Sequence, residues 1–194
     1  KEKYDTVFSL GEQVTITEKV DGSNASFTYD PTTNTVLAFS RKNQLNEANT
    51  LNGFWNWAQQ LNVSQIDMLT QHGRYVIFGE WLTKHTIKYP DTRYKNFYMF
   101  DVWDTQTEEY LPHEDTYAIF KGLENAVQLT QQVIYFVPIF YTGEFRGWDT
   151  VYQLVGQSML GAEPCGEGVV IKSQDRLDNK NSRTPSYLKI VAEK

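Results

Sequence analysis

Five apolar segments with the pattern of β-strands each carry one or two charged side chains. Lys19 closes VTITEK, Glu80 sits inside RYVIFGEWL, Asp101 inside NFYMFDVW, Glu167 and Lys172 bracket EGVVIK, and Lys189 interrupts SYLKIV. Charges are costly to bury unless they are paired or used. Packing alone does not account for five such strands, so the fold is expected to bring them to a shared cavity. Lysines, carboxylates and a flat aromatic around one cavity suit a nucleotide and a metal ion. Asp21-Gly22 follows Lys19 closely, with Asp21 expected on the same strand face and Gly22 allowing a close backbone approach to a ligand.

The surrounding pattern is that of a mixed fold. Residues 13 to 20 alternate, with Val14 and Ile16 on one face and Thr15, Thr17 and Lys19 on the other. Residues 24 to 30 and 35 to 41 read as two strands joined by the turn signal DPTTN. Leu51, Phe54, Trp55, Ala58 and Leu61 recur at helical spacing. Further strands are expected at 74 to 82, 96 to 103, 132 to 141, 167 to 172 and 186 to 191, and helices at 114 to 129 and 148 to 160. Hairpins mixed irregularly with helices predict an α+β fold with largely antiparallel sheets. No repeat or linker divides the 194 residues, which predicts a single domain spanning 1 to 194.

The net charge of −6 argues on its face against a nucleic-acid partner. Positive charge is nevertheless clustered. Arg41 and Lys42 adjoin, Lys84, Lys88, Arg93 and Lys95 form a second group, and Lys172, Arg176, Lys180, Arg183, Lys189 and Lys194 make a basic C-terminal region. No apolar run reaches the length of a membrane span and no signal-peptide pattern opens the chain, so a membrane partner is not expected. The one cysteine, Cys165, cannot form an internal disulfide, which favours a reducing, cytoplasmic setting.

The charged strands also fall into an ordered series. KVDGSN resembles motif I of the covalent nucleotidyltransferases, the ATP-dependent ligases and mRNA capping enzymes. SRK resembles motif Ia, FGEW motif III, FYMFDVW motif IIIa, EGVVIK motif IV and LKIV motif V, in the right order from residue 19 to 191. Asn24, at the end of the first motif, resembles RNA ligases, where DNA ligases and capping enzymes usually carry arginine. The closest resemblance is to the RNA-repair branch of the ATP-dependent RNA ligases.

That resemblance implies an adenylyltransferase domain that takes ATP and Mg²⁺ and acts, as a monomer, on RNA ends in a nicked duplex or broken strand. Lys19 would attack the α-phosphate of ATP, form a lysyl–AMP and release pyrophosphate. Free lysine is almost wholly protonated at neutral pH. The cations Lys172, Lys189 and Mg²⁺ would favour the neutral amine. Glu80 would bind a ribose hydroxyl and Phe100 would stack on adenine. Arg41 would contact the RNA phosphate or the nucleotide. Glu167 would hold the metal or orient Lys19, and Lys172 and Lys189 would contact phosphates. Glu18 would contact the base, and Asn24 joins the nucleotide-binding set. The residues by themselves leave plainer readings open: Glu80 as a core carboxylate paired with a lysine, Phe100 as core, Arg41 as surface, Glu18 as a solvated carboxylate. A DNA ligase, a capping-type enzyme and a nucleotide- or nick-binding module without catalysis are the alternative functions.

Two departures stand out. The family's last motif usually has a second lysine two residues after the first, where this chain has Val191 on the expected face of Lys189. Glu167 and Lys172 are five apart, so a regular strand would send them to opposite faces unless it bulges. Ligases of this group commonly carry a further C-terminal domain, which is expected to be absent from this stretch of sequence, by truncation or by nature.

Overall fold

The computed structural model describes residues 7–174 and 187–192. In chain order these form β1 (Gln13–Glu18), β2 (Ser23–Asp30), β3 (Thr35–Ser40), α1 (Phe54–Gln59), α2 (Val63–Leu69), β4 (Tyr75–Trp81) and β5 (Phe97–Asp104). There follow β6 (Glu109–Tyr110), α3 (His113–Gln128), β7 (Tyr135–Phe136), β8 (Ile139–Glu144), α4 (Trp148–Tyr152), β9 (Gly168–Ser173) and β10 (Tyr187–Val191). Arg176, Lys180, Arg183 and Lys194 of the basic C-terminal group lie outside the described residues, as does Ser186 at the start of the last expected strand.

One sheet runs β10-β9-β1-β8, antiparallel throughout. The other runs β3-β2-β4-β5-β6, also antiparallel, with β7 added in parallel to β5. The α+β expectation therefore describes the fold. In the first sheet, Val14, Ile16, Val169 and Ile171 pack with Phe8, Phe145, Trp148 and Val151 on one face. In the second, Ala25, Phe27, Ile77, Phe97, Met99 and Val102 pack against Phe54, Ala58, Ile66, Phe120 and Leu123 of the helices. Each sheet so uses one face for core. Period-2 alternation leaves Thr17, Val170, Lys172 and Lys189 on the free face of the first, and Asn24, Phe78 and Glu80 on that of the second. A third apolar cluster, including Val20, Leu82, Tyr89, Tyr98, Val137 and Leu160, ties the two sheets together at one seam.

Several expected elements differ. The first strand stops at Glu18, so Lys19 lies in the turn between sheets. The helix expected from the 51–61 stripe is short, and α2 follows it separately, capped by Asn62, whose side chain accepts from Gln65 N at 3.1 Å. The expected strand at 132 to 141 is two strands in different sheets. It breaks at Pro138, which cannot donate to a ladder and whose carbonyl instead accepts from Glu18 N at 2.9 Å. The helix expected at 148 to 160 ends at Tyr152. Beyond it Gly156 has φ 93°, and Ser158, Met159 and Leu160 turn toward Glu18. Among the described residues, no helix is long and apolar enough to cross a membrane.

Candidate active site

The chain passes from one sheet to the other through Lys19-Val20-Asp21-Gly22, and the backbone of that turn is held on several sides. Glu18 N donates to Pro138 O and Lys19 N to Gly168 O, each at 2.9 Å. Asp21 N donates to Tyr89 Oη and Gly22 N to Glu80 Oε2, each at 3.0 Å. Gly22 is required by packing against β4. A Cβ there would lie 2.6 Å from Trp81 O, so the close contact is with β4. Asp21 does not share a strand face with Lys19. Its Oδ2 accepts from Ile87 N at 3.4 Å and faces the 83–90 segment.

Lys19 Nζ is ion-paired with Glu167 Oε1, and both side chains are about one-fifth exposed, at 23% and 20%. Glu167 precedes β9 rather than lying in it, so strand parity does not relate it to Lys172. The turn into β9 is made at Gly168, where a Cβ would lie 2.0 Å from Ile190 O of β10. Among the described residues, Glu167 Oε2 is buried with no hydrogen-bond partner. A carboxylate oxygen left open in this way fits a hard divalent cation. No group of three or more His, Cys, Asp or Glu side chains among the described residues could hold a metal. A site here would resemble those in which one or two carboxylates share Mg²⁺ with substrate phosphates.

The free faces of the two sheets enclose a cavity of about 400 Å³, within the range of small-molecule sites. Glu18, Lys19, Asn24, Arg41, Glu80, Phe100, Lys172 and Lys189 all line it. Of the residues singled out from sequence, Glu167 alone reaches the site through a partner, Lys19, rather than as part of the cavity wall. Burial pushes the Glu80 carboxyl up to about 7, opposed by the Gly22 N–H and by Lys19. Lys189 and Glu167 also act on it, so the four charges share one electrostatic neighbourhood.

Phe100 reaches the cavity through a β-bulge. Phe78 pairs with Asp101 and Gly79 with Met99, leaving Phe100 as the extra residue of β5. The bulge breaks alternation, so Phe100 and Asp101 both line the cavity while Met99 and Val102 stay in the core. Lys172 is ion-paired with Asp101 and donates to Phe100 O at 3.1 Å. Its ammonium lies 5.6 Å from the centroid of the Phe100 ring, a cation–π contact.

Glu18 is not a solvated carboxylate. It is 1% exposed and accepts from Ser158 Oγ at 2.6 Å, Met159 N at 2.7 Å and Leu160 N at 3.4 Å. Burial raises its pKa, and those three hydrogen bonds oppose the rise. It therefore fixes the loop that leads to Glu167, and only part of it is left to face a ligand.

Three residues had no role assigned from sequence. Asp101 was visible as a charge in an apolar strand, but its pairing with Lys172 was not. His113 lines the cavity at the start of α3, its pKa lowered by burial and then by Lys172. Tyr89 is 6% exposed beneath the Lys19 turn, and no sequence pattern marks it. Val191 shares a strand face with Lys189 as expected, but it pairs with Gly168, is 51% exposed and is not part of the cavity wall.

Solved structures share this fold. A Naegleria gruberi RNA ligase mutant in the apo form superposes with a TM-score of 0.67 at 20% identity, over 94% of this chain and 50% of that one. The same organism's RNA ligase with PPi gives 0.66 at 18%, over 98% and 52%. A mutant with ATP and Mn gives 0.65 at 18%, over 94% and 50%. At these identities the likeness is one of fold, and the chain spans about half the length of those proteins. No curated protein sequence matches. The family model for RNA ligase matches residues 12–191, from the start of β1 to the end of β10, and so takes in both sheets and every cavity residue named above: the chain belongs to the RNA ligase family.

Proposed function

We propose that this chain is the adenylyltransferase domain of an ATP-dependent RNA ligase, which seals RNA 5′-phosphate and 3′-hydroxyl ends through a lysyl–AMP intermediate. The observation that carries the reading is the convergence of Lys19, Glu80, Phe100, Lys172 and Lys189 on one cavity at the junction of two sheets. The relatives solved with ATP and Mn support a nucleotide and a divalent ion as ligands of this fold.

Phe100 presents a flat apolar ring for adenine, and Glu80 presents an acceptor for a ribose hydroxyl. Lys172, Lys189 and Arg41 supply positive charge for phosphates. With the triphosphate held there, the unprotonated Lys19 amine attacks the α-phosphorus. The P–N bond forms, the bond to the bridging oxygen breaks, and pyrophosphate leaves with the electron pair. Glu167 pairs with the protonated amine before the attack; loss of one proton to solvent frees the nitrogen electron pair, and the second proton, lost as the P–N bond forms, passes to the departing pyrophosphate. An oxygen of an RNA 5′-phosphate then attacks the same phosphorus, the P–N bond breaks as the nitrogen takes up a proton from solvent, and the amine is restored with a 5′–5′ pyrophosphate link formed. Attack of a 3′-hydroxyl on the RNA phosphate forms the phosphodiester and expels AMP. Bound Mg²⁺, with Glu167 as its protein ligand, would neutralise charge on the phosphates.

Intact mass after incubation with ATP and Mg²⁺ tests the first step. One added AMP is expected, and none in Lys19→Ala. A wild-type chain that gains no AMP would instead be a nucleotide- or nick-binding module.

A further inference from the structure

We infer that Tyr89 is a positioning residue for Lys19, acting through the backbone of the turn that carries the nucleophile. The inference rests on the adenylyltransferase reading and adds a residue outside the six motifs.

The turn from Glu18 to Gly22 has to hold the Lys19 stem in one direction while the side chain exchanges Glu167 for a phosphate. Backbone carbonyls fix its first half, at Glu18 N and Lys19 N. Side chains fix its second half: Tyr89 Oη at Asp21 N and Glu80 Oε2 at Gly22 N. Glu80 has a ligand-binding part as well, so Tyr89 is the side chain whose geometry serves the turn alone.

Tyr89 is itself held rigidly. It is 6% exposed, its N–H donates to Tyr94 Oη at 3.0 Å, and its ring meets that of Tyr94 edge-on at 6.2 Å. The neighbouring Lys88 forms an antiparallel bridge with Glu163, donating to Glu163 O at 3.1 Å and accepting from Glu163 N at 2.8 Å. Ile87 N donates to Asp21 Oδ2. Residues 87 to 89 thus form a strap that grips Asp21 from both its amide and its carboxylate. Glu163 belongs to the same loop that Glu18 anchors at Ser158 and that leads to Glu167. The strap therefore references Lys19 and its ion-pair partner to one frame. Burial, reinforced by the carboxylates of Glu18, Asp21 and Glu167, raises the Tyr89 pKa, so the phenol stays neutral.

The test is Tyr89→Phe, which removes one oxygen from a buried ring. At saturating ATP the single-turnover rate of Lys19–AMP formation is expected to fall roughly ten- to a hundredfold, the scale of a misplaced reacting group. ATP half-saturation should not change. Joining of RNA supplied already adenylylated, which does not use Lys19 as nucleophile, should keep its rate. Amide hydrogen exchange at Asp21 should accelerate. Should Tyr89→Phe lose its fold, a difluorotyrosine at position 89 keeps the ring and weakens the oxygen as an acceptor, and it should slow Lys19–AMP formation to a lesser degree. Equal losses in both reactions, an unchanged adenylylation rate, or unchanged exchange at Asp21 would overturn the positioning role. Failure of the wild-type chain itself to take up AMP would overturn the adenylyltransferase reading, and the positioning role with it.

Discussion

Lys19 and Glu167 form an ion pair across 148 residues of sequence, and the second carboxylate oxygen of Glu167 is buried with no partner among the described residues. The pair holds the proposed nucleophile at the edge of the cavity and leaves one oxygen for a cation. Glu167→Gln keeps the shape and removes the charge. A charge-assisted hydrogen bond contributes roughly 1.5–3 kcal/mol, so labelling with AMP should slow by about tenfold or more while the fold persists. Radiolabelled AMP transfer and circular dichroism on the same preparation check this, and an unchanged rate would remove Glu167 from the site.

The bulge at Phe100 makes a second expectation quantitative. A base stacked on an aromatic ring gains on the order of 1–3 kcal/mol, so Phe100→Ala should weaken ATP binding about tenfold or more. Calorimetric titration of ATP reads the affinity directly. Wild-type affinity in the variant would return Phe100 to a packing role.

Glu80 predicts a dependence of stability on pH. Its folded pKa of about 7 lies above the ordinary 4.5, so the folded state binds the proton more tightly. Stability from this group is therefore highest below about pH 4.5 and declines as pH rises to about 7. The full shift corresponds to roughly 3 kcal/mol, an order-of-magnitude figure. Glu80→Gln lacks the titration. Its stability relative to wild type should rise over that window in urea unfolding, and parallel curves would show that Glu80 is not desolvated.

Val191→Lys tests the departure in the last strand. The position shares a strand face with Lys189 and sits opposite Gly168, beside Glu167, but outside the cavity wall. A lysine there would add a cation on the strand face that carries Lys189, which lines the cavity. A charged hydrogen bond there, roughly 1.5–3 kcal/mol, outweighs repulsion from Lys189 that the triphosphate screens. A faster single-turnover rate of lysyl–AMP formation is expected. An equal or slower rate, with folding preserved, would show that position 191 does not reach the phosphates.

Much of the fold was legible because local periodicity records which face of an element is apolar. Val14 and Ile16, Phe54 and Ala58, and the pairing of Lys189 with Val191 on one face all followed from periods of 2 and 3.6. The cavity residues were legible for a related reason. A charge in an apolar strand is costly unless the fold uses it, so Lys19, Glu80, Lys172 and Lys189 announced themselves one by one.

Long-range closure decided the rest. Lys19 leaves its strand because the chain changes sheets at that point, and the 132–141 strand divides at Pro138 for the same reason. The bulge that turns both Phe100 and Asp101 to the cavity depends on how β4 and β5 register, not on either strand alone. Glu18 became a buried anchor because the 158–160 amides arrived beside it. Tyr89 met the Asp21 amide across 68 residues, through one hydrogen bond that leaves no trace in composition or period. Periodicity is a property of neighbours along the chain. The positions of these groups depend on hydrogen bonds and packing between segments that only the completed sheets bring together.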